Sequence, residues 1–176
     1  TFALAASYEG FKPAIQNNAR LQLERAILYA FGLEEGLEDA QVRETFAQSI
    51  KEGELKGEKV YVYEQGGQIK GYALPVEGPG LWGTIRGYLG VSEGLDKVTG
   101  LVFTEQNETP GLGGRIDELQ YKEQFRGLPI AKGSTVSYGQ QGERQLDAVT
   151  GATQTSSAVL RIVNSALNKL YAGEGN

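Results

Sequence analysis

The chain reads as an α+β domain, a mostly antiparallel, hairpin-built sheet flanked by N- and C-terminal helices. Three observations carry that class. A helical apolar stripe stands near the N-terminus and a second one stands near the C-terminus. Between them lie alternating, strand-forming segments separated by glycine turns. At 176 residues, one domain covering 1–176 is expected, able to bury roughly 70% of its unfolded surface.

The elements follow in order. Lys12 to Phe31 has Ile15, Ala19, Leu23, Ala26, Ile27 and Ala30 on one helical face, and Gly32 stands where a C-terminal cap belongs. Asp39 can cap a second helix with Val42, Phe46 and Ile50 inward and Gly53 beyond its end. Lys59 to Tyr63 alternates, Gly66-Gly67 signals a turn, and Ile69 to Val76 returns. A loop over Glu77 to Gly83 leads to a strand over Thr84 to Val91. After Glu93-Gly94 comes a strand over Lys97 to Phe103. A glycine-rich loop, Asn107 to Gly114, precedes a short helix near Ile116 to Phe125 that Gly127 ends. A further strand is expected near Thr135-Val136. The last helix carries Val159, Ile162, Val163, Ala166, Leu167 and Leu170 as one stripe.

Composition excludes several chemistries. The chain has no Cys, which removes thiolate-held zinc, iron–sulfur clusters and disulfides. It has no His, which removes imidazole bases and the usual haem and zinc ligands. A net charge of −5 with no basic run argues against a nucleic-acid partner. The acidic stretch Glu34 to Glu54 has no metal-ligand spacing and reads as a solvated helical face, so no metal site is expected.

The segment Asp147-Ala148-Val149-Thr150-Gly151-Ala152-Thr153 opens the last helix. It sets two hydroxyls and a glycine where a helix presents unpaired N–H groups and the positive end of its dipole, a ready anion site. A lone threonine there is ordinarily a cap. Two further blocks stand upstream, Gly80-Leu81-Trp82-Gly83 and Glu108-Thr109-Pro110-Gly111-Leu112-Gly113-Gly114.

Taken together and in order, the three blocks resemble those of the NqrC/RnfG family, membrane-anchored flavoprotein subunits of bacterial respiratory complexes. The resemblance runs from about Phe11 to Leu170, and Gly80 to Gly83 looks more like the NqrC branch. It implies FMN as cofactor, bonded by a phosphoester to Thr153. A separate flavin transferase, using FAD and a divalent metal, would install it. Thr150 can donate to the phosphate or cap the helix. Gly151 and Ala152 leave room for close approach. Asp147 is either a transferase recognition residue or a turn residue that braces the motif.

The second block supplies a loop for the ring. Glu108 and Thr109 are expected at its polar rim, Leu112 over a face, and Gly113 where the backbone comes close. Leu81 and Trp82, with Gly83 and Thr84 beside them, are expected near the isoalloxazine. The alternative for Trp82 is a buried anchor for its loop, and for the glycine-rich block a plain connecting loop. Lys132 is a candidate for the phosphate or ribityl chain, its alternative being an ordinary solvated lysine.

The same resemblance implies other membrane subunits of an Nqr- or Rnf-type complex as partners. It places the domain on the extracytoplasmic side of a bacterial inner membrane. Phe2-Ala3-Leu4-Ala5-Ala6 then reads as the trailing end of a single-pass anchor, or else as a frayed apolar terminus. The favoured function is electron transfer through FMN in a sodium-translocating NADH:quinone oxidoreductase. An RnfG-type subunit of a ferredoxin:NAD oxidoreductase, a flavin-bearing sensor and a non-redox phosphate-binding module remain as alternatives. No spaced-glycine dinucleotide fingerprint is present, so NADH is not expected to reduce the domain directly.

Overall fold

Five antiparallel strands run in sequence order from one sheet edge to the other, β1 (Ile50–Leu55), β2 (Glu58–Gln65), β3 (Gln68–Pro79), β4 (Thr84–Ser92) and β5 (Val98–Glu105). The structure is a computed structural model that describes residues 2–141 and 144–172, with side chains described for 16–139 and 144–172. Helices α1 (Phe2–Phe31) and α2 (Asp39–Ser49) precede the sheet, and α4 (Thr153–Tyr171) follows it. Between sheet and α4 lie a 3-10 turn at Gly113–Asp117, the one-turn α3 (Leu119–Lys122), a 3-10 turn at Glu123–Phe125 and a small hairpin, β6 (Gly139–Gln141) with β7 (Arg144–Leu146). The α+β class is therefore the one expected.

Strand alternation divides the core between the two faces of the sheet. Ala73, Tyr61, Tyr63, Tyr88 and Val102 meet α1 and α2 on one face. Val60, Leu74, Val76, Leu89, Val91, Leu101 and Phe103 meet α4 on the other. All six stripe residues of α4 are buried. A Cβ on Gly78 would sit 2.7 Å from Ile162 Cγ1, so α4 crosses β3 at a residue without a side chain.

Several boundaries differ from expectation. Helix α1 begins ten residues before Lys12, at Phe2; the alanine-rich segment ahead of Pro13 favours helix, and one proline removes only one ladder bond. Ala19 is exposed and the buried face begins at Leu21. The side chain of Ile15 lies outside those described, as do those of Phe2 to Ala6. Glu38, not Asp39, is the α2 cap, in a capping box with Gln41. Asp39 instead pairs with Arg25 at 2.7 Å. Ile50 and Gly53 belong to β1, which the sequence disguises because that edge strand is mostly polar and exposed. No strand forms at Thr135-Val136. The Asn164 side chain takes the place of a neighbouring strand, accepting from Val136 N–H and donating to Val136 C=O, each at 2.8 Å.

Candidate functional site

The three sequence blocks converge at one end of the sheet. Residues 80–83 form the tip of the β3–β4 hairpin, closed by Gly80 N–H donating to Gly83 C=O at 2.7 Å. The glycine-rich loop leaves the end of β5 beside it, and α4 starts there too. The contacts are direct. Leu81 and Trp82 N–H donate to Glu108 Oε1 at 2.9 and 3.0 Å. The Thr155 hydroxyl donates to Glu108 Oε2 at 2.5 Å. A Cβ on Gly151 would touch Leu112 at 3.6 Å, and one on Gly83 would touch Asn107 at 3.4 Å.

Helix α4 begins without a side-chain cap, since Ala152 is the N-cap. Thr153 is its first residue and is exposed, as are Thr150 and Gly151. Gly151 adopts φ +78°, the left-handed region that lets the chain turn into the helix. The start of α4 thus offers backbone donors, a positive dipole end and an accessible hydroxyl together. Thr155 and Ser156 are different, at 1% and 0% exposure. Ser156 Oγ accepts from Val149 N–H at 3.0 Å and braces the motif from beneath. Their signal was present in the sequence: both stand on the helical stripe, three and four residues before Val159, where a polar group needs an internal partner.

An apolar roof lies beside the motif. Among the described residues, the exposed large hydrophobics are Ile69, Leu81, Trp82, Leu112 and Leu119, and the middle three belong to this site. Trp82 is 69% exposed, so it is not the buried anchor of its loop. Thr109 is exposed, and its carbonyl accepts from Leu112 and Gly114 N–H at 3.1 and 3.0 Å, which curls the loop. Thr84 is half-buried and pairs with Pro79 at the start of β4.

Two expectations are corrected. Glu108 does not present its carboxylate to a ring. It is 4% exposed and both oxygens are engaged within the protein. Lys132 is not at the site. Ile130 N–H bonds to Asp96 C=O at the β4–β5 turn. The last residue of α4, Tyr171, bonds to Leu95 in that same turn. Lys132 therefore lies toward the far end of a 19-residue helix, which at 1.5 Å per residue is about 28 Å long.

Asp147 is exposed and its position is fixed by neighbours. Its N–H donates to Gln124 Oε1 at 2.6 Å, and Gln145 Nε2 donates to its Oδ1 at 2.8 Å. It lines a cleft of about 330 Å³ with Val149, Thr150, Tyr121, Gln124 and Arg115. Burial raises the pKa of Tyr121 far above the ordinary tyrosine value, with Tyr138 adding to the shift. The two hydroxyls are 2.6 Å apart, and Tyr138 donates to Ser156 C=O at 2.9 Å. Among the described residues there is no cluster of acids able to hold a metal.

The residues present fit FMN. A phosphate suits an exposed threonine at an uncapped helix start, and a flat apolar ring suits Leu81, Trp82 and Leu112.

Comparison with known proteins agrees. The chain is 35% identical over 121 residues to a subunit of the Na(+)-translocating NADH-quinone reductase of Pseudomonas aeruginosa, covering 62% of this chain and 46% of that protein. It is 34% identical over 123 residues to a subunit of the ion-translocating oxidoreductase complex of Methanosarcina acetivorans, covering 68% of this chain and 63% of that protein. The chain thus spans about half the length of the curated relatives it matches. The crystal structure of Shewanella oneidensis NqrC superposes with a TM-score of 0.74 at 21% identity, covering 88% of this chain and 94% of that one, which establishes the shared fold. The model of the FMN-binding domain matches residues 80–168, which include all three blocks, and this chain belongs to that family, in its NqrC/RnfG form.

Proposed function

We propose that this chain is an electron-transfer domain carrying FMN covalently on Thr153, within a sodium-translocating NADH:quinone oxidoreductase. One observation carries the attachment site. Thr153 is exposed at the uncapped start of α4, next to the apolar roof, whereas Thr155 is buried and bonded to Glu108. Only an exposed hydroxyl is open to a second enzyme.

Attachment is a phosphoryl transfer. The Thr153 oxygen forms the new P–O bond, the pyrophosphate bond of FAD breaks, and AMP leaves. The hydroxyl proton passes to the flavin transferase. FMN, once bound, supplies the one- and two-electron chemistry. The protein's own part is to hold it. The helix start and Thr150 face the phosphate end, Gly151 leaves room, and Leu81, Trp82 and Leu112 exclude water from a ring face. Asp147, held by Gln124 and Gln145 beside the cleft, is a fixed carboxylate for the transferase to recognise.

The names of the relatives support the complex. Gly80 to Gly83 favours the Nqr type, and the similarity to the Methanosarcina acetivorans protein keeps the Rnf type as the second reading. The reading extends to membrane anchorage with the domain on the extracytoplasmic side and the other subunits as electron partners. Among the described residues, no helix is long and apolar enough to cross a membrane.

The test is intact mass after co-expression with a flavin transferase. Wild type should gain the mass of FMN less one water, and Thr153→Ala should gain nothing while keeping its fold. Peptide mapping that puts the flavin on Thr150 would overturn the assignment. Rapid reduction of the flavinylated domain by NADH alone would overturn the subunit reading.

A further inference from the structure

We infer that Glu108 is the positioning residue of this site, its buried carboxylate clamping the Trp82 hairpin tip to the first turn of α4. The clamp stands on the fold alone. Its consequence for flavin rests on the reading above.

The tip has little else to hold it. Its side chains, Leu81 and Trp82, are exposed, so no buried apolar group fastens it to the body of the domain. Its one internal bond, Gly80 to Gly83, closes the turn without fixing where the turn points. Glu108 supplies the missing link. One carboxylate oxygen receives two consecutive backbone N–H groups, a small anion nest. The other receives the Thr155 hydroxyl from the buried side of α4. Three segments distant in sequence meet on one side chain.

Space for that side chain is made by glycine. A Cβ on Gly80 would collide with Glu108 Oε1. A Cβ on Gly113 would lie 2.6 Å from Thr155 Oγ1 and 3.1 Å from Glu108 Oε2. Neither glycine has a positive φ, so the requirement is room for the carboxylate and not a special backbone conformation. An aspartate at 108 would fall short by a methylene. The nearby start of α4 adds its positive dipole end to the three donors. Thr153 lies two residues from Thr155 and Trp82 is itself a donor to the clamp. The carboxylate therefore sets the span between the phosphate anchor and the aromatic roof.

Hydrogen exchange at the Leu81 and Trp82 amides reads the clamp in the flavin-free protein, and Trp82 emission reads it after flavinylation. Glu108→Ala should speed exchange at both amides by about 10-fold or more, and should relieve the quenching of Trp82 by the flavin. Glu108→Gln keeps an acceptor oxygen for both amides, so it should restore slow exchange and quenching. Thr155→Val is isosteric, which covers the case of an unfolded Glu108→Ala. It should leave the amides slow but reduce quenching, because the tip stays on Glu108 while the link to α4 is cut. Wild-type exchange and quenching in folded Glu108→Ala would overturn the inference. So would Glu108→Gln behaving like Glu108→Ala, or Thr155→Val quenching like wild type. If wild type takes no flavin, the flavin reading fails while the exchange measurement still decides the clamp.

Discussion

Two carboxylates organise this domain, and they do so differently. Glu123 accepts from the Tyr29 hydroxyl at 2.5 Å and from Arg126 at 2.8 and 3.0 Å. Arg126 also donates to the carbonyls of Tyr29 and Thr99, and Lys122 stands 4.6 Å over the Tyr29 ring. Every partner there is a side chain or carbonyl of a packed element, and the group joins the C-terminal part of α1 to β5 and the segment after α3. Glu108 has no salt-bridge partner among the described residues. Its donors are two amides of an exposed tip and one hydroxyl, under a roof of exposed Leu81, Trp82 and Leu112. A polar joint between packed elements stabilises the fold. A joint whose outer wall is apolar and open prepares a surface for something else.

Of the two joints, breaking the one at Glu123 should have the larger effect on stability. Arg126→Met removes four hydrogen bonds of a half-buried guanidinium, two to Glu123 and two to carbonyls, a summed cost of about 2–3 kcal/mol. Urea unfolding should show that loss, while flavin attachment at the other joint stays complete. The acid limb of stability is a second signature. Arg126, and after it Tyr29, hold the Glu123 pKa below its usual value against an opposing desolvation effect. Its contribution is therefore full above the ordinary glutamate range and falls away as pH drops through the lower folded value. Arg126→Met should flatten that decline. A flavinylation defect in Arg126→Met with folding intact would mean that the joints are coupled.

The open joint should respond next. Gly113→Ala inserts a methyl against Thr155 and Glu108, an overpacking cost of about 2 kcal/mol. Part of that should appear as faster exchange at Leu81 and Trp82. Unchanged exchange with full stability would show that the loop yields easily and that the site is less tightly built than its distances indicate.

How much of this was legible in the sequence follows from what each residue's environment requires. The α4 stripe and strands β2 to β5 were readable because burial imposes a pattern on them. Strand β1 was not, since a polar edge strand carries no period. The convergence of the three blocks was readable only through resemblance, because nothing local links residues 80, 108 and 150. Glu108 is brought among the three blocks, but its carboxylate has another task than the one expected. Its type suggests a rim contact, and only the fold reveals that its oxygens are taken by Leu81, Trp82 and Thr155. Lys132 was misplaced for the converse reason, since charge alone says nothing about which end of a helix a loop serves.

The smallest effect on stability, and the sharpest contrast, belongs to Leu112. It is 48% exposed and touches the position where Gly151 would carry a Cβ, so it has little core to lose. Leu112→Ala should change unfolding free energy by no more than about 0.5 kcal/mol. Leu167→Ala, at a fully buried position on α4, should cost about 3 kcal/mol. In the flavinylated protein the order should reverse. On the proposed placement of the flavin, losing Leu112 uncovers the ring, so iodide should quench flavin emission more steeply than in wild type, whereas Leu167→Ala should leave ring access unchanged. Leucines that matter to stability and leucines that matter to the ligand are thereby separated within one domain. Were Leu112→Ala to cost as much as Leu167→Ala, the roof would be core after all, and the apolar surface at this end of the sheet would need another explanation.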